Sequence, residues 1–122
     1  MTIPIAFLPK VRSDRIMQAM HQMPCSLRIA TFIGLPCAPM DTNVGCHLPV
    51  SGKGIATKVT DLAVACGCAT CHDLLDGRDA RGATIRDTYP AAYGQRLLNA
   101  LVETQARLVA IGIIQVPDAE IV

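Results

Sequence analysis

Residues 62–78 read LAVACGCATCHDLLDGR, and most of what the chain discloses about its fold is in that stretch. Leu62–Cys66 is a short apolar run that fits a buried strand leading into a turn at Gly67. Cys68 and Cys71 form a C-x2-C knuckle, a spacing that lets two thiolates reach one tetrahedral zinc ion. From Cys68 through Leu75 the segment reads as a knuckle that opens a helix.

Upstream, Cys25 to Pro49 is rich in Pro, Gly and short apolar runs (SLRIATFIG, then VGCHL), which reads as short strands and loops and not as helix. Before it, Ser13 and Asp14 followed by Ile16, Met17, Met20 and Met23 at helical spacing predict a short helix ended by Pro24, with the methionines as core filler. A glycine loop, SGKG, occupies 51–54. Downstream, Pro90 to about Ile111 has Leu97, Leu98, Leu101, Val102, Leu108 and Val109 on one stripe, with Asn99, Glu103 and Arg107 opposite. Pro90 suits a first helical turn, Glu103 and Arg107 are spaced as an i,i+4 pair, and Gly112 is a natural stop. No internal repeat and no linker is evident, so the expectation is one domain: an extension with a short helix over 1–24, a core over 25–78 and a C-terminal helix over 90–112.

The composition agrees with that scale. A chain of 122 residues supports one modest core. With 51% apolar and 17% charged residues it is too apolar for a disordered tail, and its apolar runs are too interrupted for a membrane span. Only Phe7, Phe32, Tyr89 and Tyr93 are aromatic and there is no Trp, so six cysteines are the candidates for tightening a light core. The opening MTIPIAFLPKVRSD has its apolar stretch broken by Pro4 and Pro9 and no basic segment before it, so it is not read as a secretion signal and a cytoplasmic location is expected. In a reducing compartment spaced cysteines more often bind metal than pair as disulfides. The net charge of +1 argues against coating nucleic acid by bulk electrostatics, although residues 1–60 carry +4 and residues 61–122 carry −3.

A single knuckle is half a zinc site. The other two ligands must come from Cys25, Cys37, Cys46 or Cys66. Cys46 and Cys66 lie inside apolar, strand-like runs where a buried thiol behaves as a small hydrophobe. The assignment is therefore Cys25, Cys37, Cys68 and Cys71, with Cys46 or Cys66 as the alternative to Cys37. Two histidines lie near this framework: His47 ends a short strand and His72 directly follows the second knuckle cysteine.

Read together, CSLRIATFIGLPC, NVGCHL and KVTDLAVACGCATCHDLLDGR resemble the YbcO-like family of phage and prophage proteins, regarded as HNH-type nucleases. The resemblance covers about residues 25–78, with Asn43 and His47 upstream of CATCHDLLDGR as its more specific part. It implies an α+β fold, a small zinc-stabilised ββα-metal (HNH-like) domain with flanking helices. By it Cys25, Cys37, Cys68 and Cys71 correspond to structural zinc ligands, His47 to the strand histidine and His72 to the helix histidine, while Asp61 stands where the central Asn of a general HNH motif falls.

The activity so implied is hydrolysis of DNA phosphodiester bonds, with DNA and phage recombination or replication proteins as partners. His47 would be the general base, Asp61 would orient it, and His72 would hold one catalytic Mg²⁺ or Mn²⁺. Lys53, Lys58 and Arg28 would contact the phosphate backbone. Cys46 occupies the position where many HNH sites carry a second metal ligand, so that either Asp73 or Asp76 completes the shell or Cys46 favours a softer ion. The alternative is a non-catalytic zinc-stabilised module that binds DNA or protein. CATCH also has the form of a c-type haem attachment sequence, but that requires export and leaves four cysteines unexplained. C-x2-C lacks the surrounding βαβ pattern of a thioredoxin-like redox site, and SGKG lacks the first glycine and the hydroxyl residue of a P-loop.

Overall fold

Ser13 starts the first helix. Its hydroxyl accepts the Ile16 N–H at 3.1 Å, with Asp14 in the first turn, which satisfies one of the amides that a helix N-terminus leaves without a partner. Helix α1 spans Asp14–Ala19, tightens into a 3-10 turn over Met20–Gln22 and gives way at Met23 to extended backbone before Pro24. The computed structural model describes residues 2–50 and 59–122. The SGKG loop, Lys53 and Lys58 lie outside the described residues.

Strands β1 (Val44–His47) and β2 (Val64–Gly67) form an antiparallel pair, with Val44 opposite Gly67 and His47 opposite Val64. The strand expected over 62–66 begins two residues later and takes in Gly67. Asp61–Ala63 is instead a 3-10 turn, opened by Thr60, whose hydroxyl accepts the Leu62 N–H. Alternation along the strands then divides the core. Cys46 and Ala65 face one cluster with Leu27, Leu74, Ile85 and Tyr93, whereas Val64 and Cys66 face a second with Ile16, Met20 and Leu108.

SLRIATFIG departs from the strand expectation. The Ser26 and Leu27 amides both donate to the Cys66 carbonyl, at 2.8 and 3.1 Å. The chain then turns through Arg28 in the left-handed region (φ 45°), so Ile29–Ile33 winds into a 3-10 helix that ends at left-handed Gly34. A second 3-10 turn covers Met40–Thr42, and between Cys25 and Pro49 only Val44–His47 is strand.

Three helices follow: α2 (Ala69–Asp76), α3 (Arg81–Thr88) and α4 (Pro90–Ala110). Helix α3 has no counterpart in the sequence reading, because only Gly82 and Ile85 along it are buried and no apolar stripe marks it. A Cβ at Gly82 would run into the Leu74 carbonyl, so α2 and α3 meet backbone to backbone there. Helix α4 starts at Pro90 as expected, and Gly112 follows its end with φ 80°.

The buried face of α4 differs from the expected stripe. Tyr93, Ala100, Thr104 and Leu108 point inward, whereas Leu98 and Val102 are 55% and 57% exposed. The Thr104 hydroxyl accepts the Cys66 N–H at 3.1 Å, so the helix is turned to dock a polar group on β2. Glu103 and Arg107 do not pair with each other as their spacing suggested. Glu103 takes Arg28 at 2.9 Å and Arg96 at 2.6 Å, and Arg107 donates to the Ser26 hydroxyl at 2.6 Å. Both links tie α4 to the segment that carries Cys25. No described helix is long and apolar enough to cross a membrane.

Candidate functional site

Cys68 is the N-cap of α2, its sulfur accepting the Cys71 N–H at 3.5 Å, and the helix carries Cys71 back to the same point. The double hydrogen bond of Ser26 and Leu27 to Cys66 fixes the neighbouring Cys25, whose sulfur accepts the Cys68 N–H at 3.4 Å. The Ala38 amide donates to the Cys68 sulfur at 3.3 Å and brings Cys37 in; the Ala30 amide donates to the Cys71 sulfur at 3.5 Å. All four sulfurs lie within 4.8 Å of one another, with Cys37 and Cys71 4.0 Å apart. A tetrahedron with Zn–S bonds of about 2.3 Å has edges of about 3.8 Å. A disulfide requires about 2.05 Å, and all four thiols are free. The four cysteines can hold a zinc ion.

Their electrostatics favour a cation. The hydrogen bond from Cys71 takes the Cys25 thiol down to about 5 against the opposing effect of burial. Burial first, and then the charges of Cys25 and Cys68, push the Cys37 thiol up to about 12. Cys71 is pushed up as well, by its bond to Cys25 and by burial. Cys25 thus holds a thiolate readily while Cys37 and Cys71 resist theirs, a resistance that a divalent cation at the centre of the cluster would remove. Four backbone N–H groups aimed at three of the sulfurs add to the stabilisation of negative charge there. Cys46 and Cys66 stand outside the group, one in each hydrophobic cluster, with burial as the main cause of thiols pushed up to about 12.

The second feature is built on His47 and Asp61. His47 ends β1 opposite the first residue of β2, and Asp61 opens the turn that leads into β2, so the hairpin itself juxtaposes them. His47 Nε2 lies 2.9 Å from Asp61 Oδ1, and Asp61 Oδ2 accepts the Ser13 N–H at 2.7 Å. Asp61 is 5% exposed. Burial alone would raise its carboxyl, but the Ser13 amide, His47 and the charge of Arg12 outweigh it and leave the group below the ordinary carboxylate value.

His72 lies in the first turn of α2, where its Nε2 is 2.8 Å from Asp76 Oδ2 one turn on. Of the two carboxylates considered for the metal shell, Asp76 therefore meets His72, whereas Asp73 faces Arg78 at 3.0 Å. Cys46 feels the Asp76 charge, which disfavours its thiolate. Among the described residues, no group of three such donors other than the four cysteines comes as close together. Arg28, expected at the phosphate backbone, is held by both carboxylate oxygens of Glu103 at 2.9 Å.

Sequence reading missed the partners that hold these groups. Ser13 and Arg12 act on Asp61 from 48 and 49 residues away in the chain, and no local signal announces that. His21 Nδ1 lies 2.9 Å from the Asn43 carbonyl, and the Asn43 amide donates to the Met23 carbonyl, so this pair ties the end of α1 to the start of β1. No family model, no curated protein and no solved structure matches this chain.

Proposed function

We propose that the chain is an HNH-type endonuclease that hydrolyses DNA phosphodiester bonds on a structural zinc held by Cys25, Cys37, Cys68 and Cys71. The observation that carries this reading is the His47–Asp61 contact on a hairpin followed directly by a helix, a ββα order with a histidine on the strand and another on the helix. The resemblance of residues 25–78 to the YbcO-like family supports it.

In this reading His47 is the general base, its imidazole taking a proton from the attacking water. The water oxygen then bonds to phosphorus as the P–O ester bond breaks. Asp61 is a positioning residue: it fixes the imidazole and stabilises its protonated form, and is itself fixed by the Ser13 amide. His72 and Asp76 would hold the divalent cation, which when bound supplies positive charge against the scissile phosphate. An imidazole beside a carboxylate suits Mn²⁺ and later first-row ions more than Mg²⁺.

One observation favours the second reading, a zinc-stabilised module that binds DNA or protein without cutting: the four cysteines are the only described group with three or more close metal donors. Plasmid nicking in Mn²⁺ or Mg²⁺ separates the two. The nuclease reading expects His47→Ala to lose about 10²- to 10⁴-fold in rate with zinc content unchanged. Equal nicking by the variant, or none by the wild type while it shifts the plasmid on a gel, overturns it and leaves the binding module.

A further inference from the structure

A groove of ≈ 590 Å³ runs between α1, the Met20–Pro24 segment and the C-terminal end of α4. Its volume falls in the range of concave binding sites, about 300–1,000 Å³. Ala19, Met23, Pro24, Ile111 and Ile113 give it an apolar floor, and Arg15 stands at its edge. Arg15 forms no ion pair among the described residues, whereas Arg107, also on the wall, is engaged by Ser26. The zinc and histidine residues take no part in the groove.

The same helix end emits a segment of opposite character. Beyond Ile114 the chain carries Val116 and Ile121, 61% and 78% exposed, interleaved with Asp118 and Glu120. Neither carboxylate makes an ion pair among the described residues. The segment is shaped as well as charged: the Ala119 N–H closes a turn on the Val116 carbonyl at 3.3 Å, with Pro117 second in the turn and Asp118 third at φ 57°. Pro at the second position and a left-handed residue at the third are the requirements of a type II turn. In its own chain this segment lines a second pocket with Val109 and Gly112, one that shares no residue with the Arg15 groove.

One surface is therefore apolar with an unmatched cation, and the other is apolar with two unmatched anions. A chain that bears both complementary patches can satisfy them reciprocally about a two-fold axis, each copy giving one segment and receiving one. We propose that the groove seats the Gln115–Ile121 segment of a second copy, with Glu120 or Asp118 against Arg15 and Val116 or Ile121 on the Met23–Ile113 floor. The resulting dimer is independent of the nuclease reading, because neither patch includes His47, Asp61, His72 or a cluster cysteine.

Sedimentation equilibrium of the full chain, from micromolar to millimolar concentration, tests it. The wild type is expected to dimerise, and Arg15→Glu or Glu120→Lys to weaken dimerisation about tenfold or more through like-charge contact. The double variant, Arg15→Glu with Glu120→Lys, restores the opposite charges and is expected to recover dimerisation to within about threefold of the wild type. Both sites are exposed, and circular dichroism of each single variant matching the wild type shows that it folds. A wild type that is monomeric throughout overturns the proposal, including the case in which the groove takes the chain's own segment or another acidic protein. So does a dimer indifferent to both reversals, or a double variant no better than the singles.

Discussion

Cys37 is the exposed member of the four-cysteine cluster, which makes Cys37→Ser an informative perturbation: the replacement is nearly isosteric, creates no buried cavity and removes only a soft anionic donor. Structural zinc sites of this ligand type supply about 10–16 kcal/mol of apparent folding free energy. Spread over four thiolates, that is about 3 kcal/mol each. Unfolding entropy near 60 °C is about 2.1 cal/mol/K per residue, so for this chain 1 kcal/mol corresponds to about 4 °C. Cys37→Ser is expected to lower Tm by about 12 °C in zinc-replete buffer and to bring zinc content below one per chain after dialysis. Stripping the wild type with a strong chelator removes the whole contribution, which is comparable with the about 5–15 kcal/mol of a typical domain, and the protein should unfold at room temperature. Cys46→Ser is the control: it buries a hydroxyl in the apolar cluster at a cost of about 1–3 kcal/mol but keeps one zinc. The assays are calorimetry or circular dichroism with elemental analysis on the same samples. A Cys37→Ser protein that keeps one zinc and melts within about 2 °C of the wild type would remove Cys37 from the site, and a chelated wild type with an unchanged melt would refute the zinc reasoning entirely.

Two further predictions concern stability. The Asp61 carboxyl lies below its unfolded value of about 3.9, so its contribution is fully present above about pH 4 and is lost as pH falls through the folded value. Asp61→Asn should cost about 1–3 kcal/mol at pH 7 in urea titrations, with the gap to the wild type closing below pH 4; a gap that stays constant down to pH 2 contradicts the assignment. Gly82→Ala should destabilise by about 1–3 kcal/mol because its Cβ meets the Leu74 carbonyl, whereas Gly94→Ala, in the same kind of helical backbone with open space around it, should raise Tm by about 2–4 °C. Equal effects from the two substitutions would show that the close approach of α2 and α3 carries no energy.

What was legible in the sequence had local causes. The cap at Ser13, the knuckle that opens α2, Pro90 at the start of α4 and Gly112 beyond its end each express a rule that acts over a few residues, and each appears where it was read. The four cysteines assigned together lie together for a different reason: Cys46 and Cys66 sit in apolar alternation, and that pattern sent them into the two core clusters and away from the group. Misreadings arose where a distant partner decides. SLRIATFIG has strand-like residues, but its first amides are taken by Cys66 and the left-handed Arg28 breaks the extension. The stripe on α4 looked continuous through Leu98 and Val102, yet the Cys66 amide needed Thr104 and turned the helix away from them. Helix α3 left no pattern because one glycine contact and one apolar side chain, Ile85, position it, too few to make a stripe. The selection of Asp76 over Asp73 beside His72 follows from i,i+4 spacing and was within reach of the sequence.

The spacing of the cluster also dictates when this protein can become itself during synthesis. Cys25 and Cys37 are made well before Cys68 and Cys71, and at about 5–20 residues per second the 34 positions from Cys37 to Cys71 take roughly 2–7 s. Throughout that interval the nascent chain presents two thiols that cannot complete a tetrahedral centre, and the Ser26 and Leu27 amides still lack the Cys66 carbonyl they will bind. Until α2 has emerged the N-terminal third lacks the Cys66 carbonyl and the two sulfurs that surround it in the folded chain, and a Cys25–Cys37 disulfide formed in that interval would take both of its thiols out of the cluster.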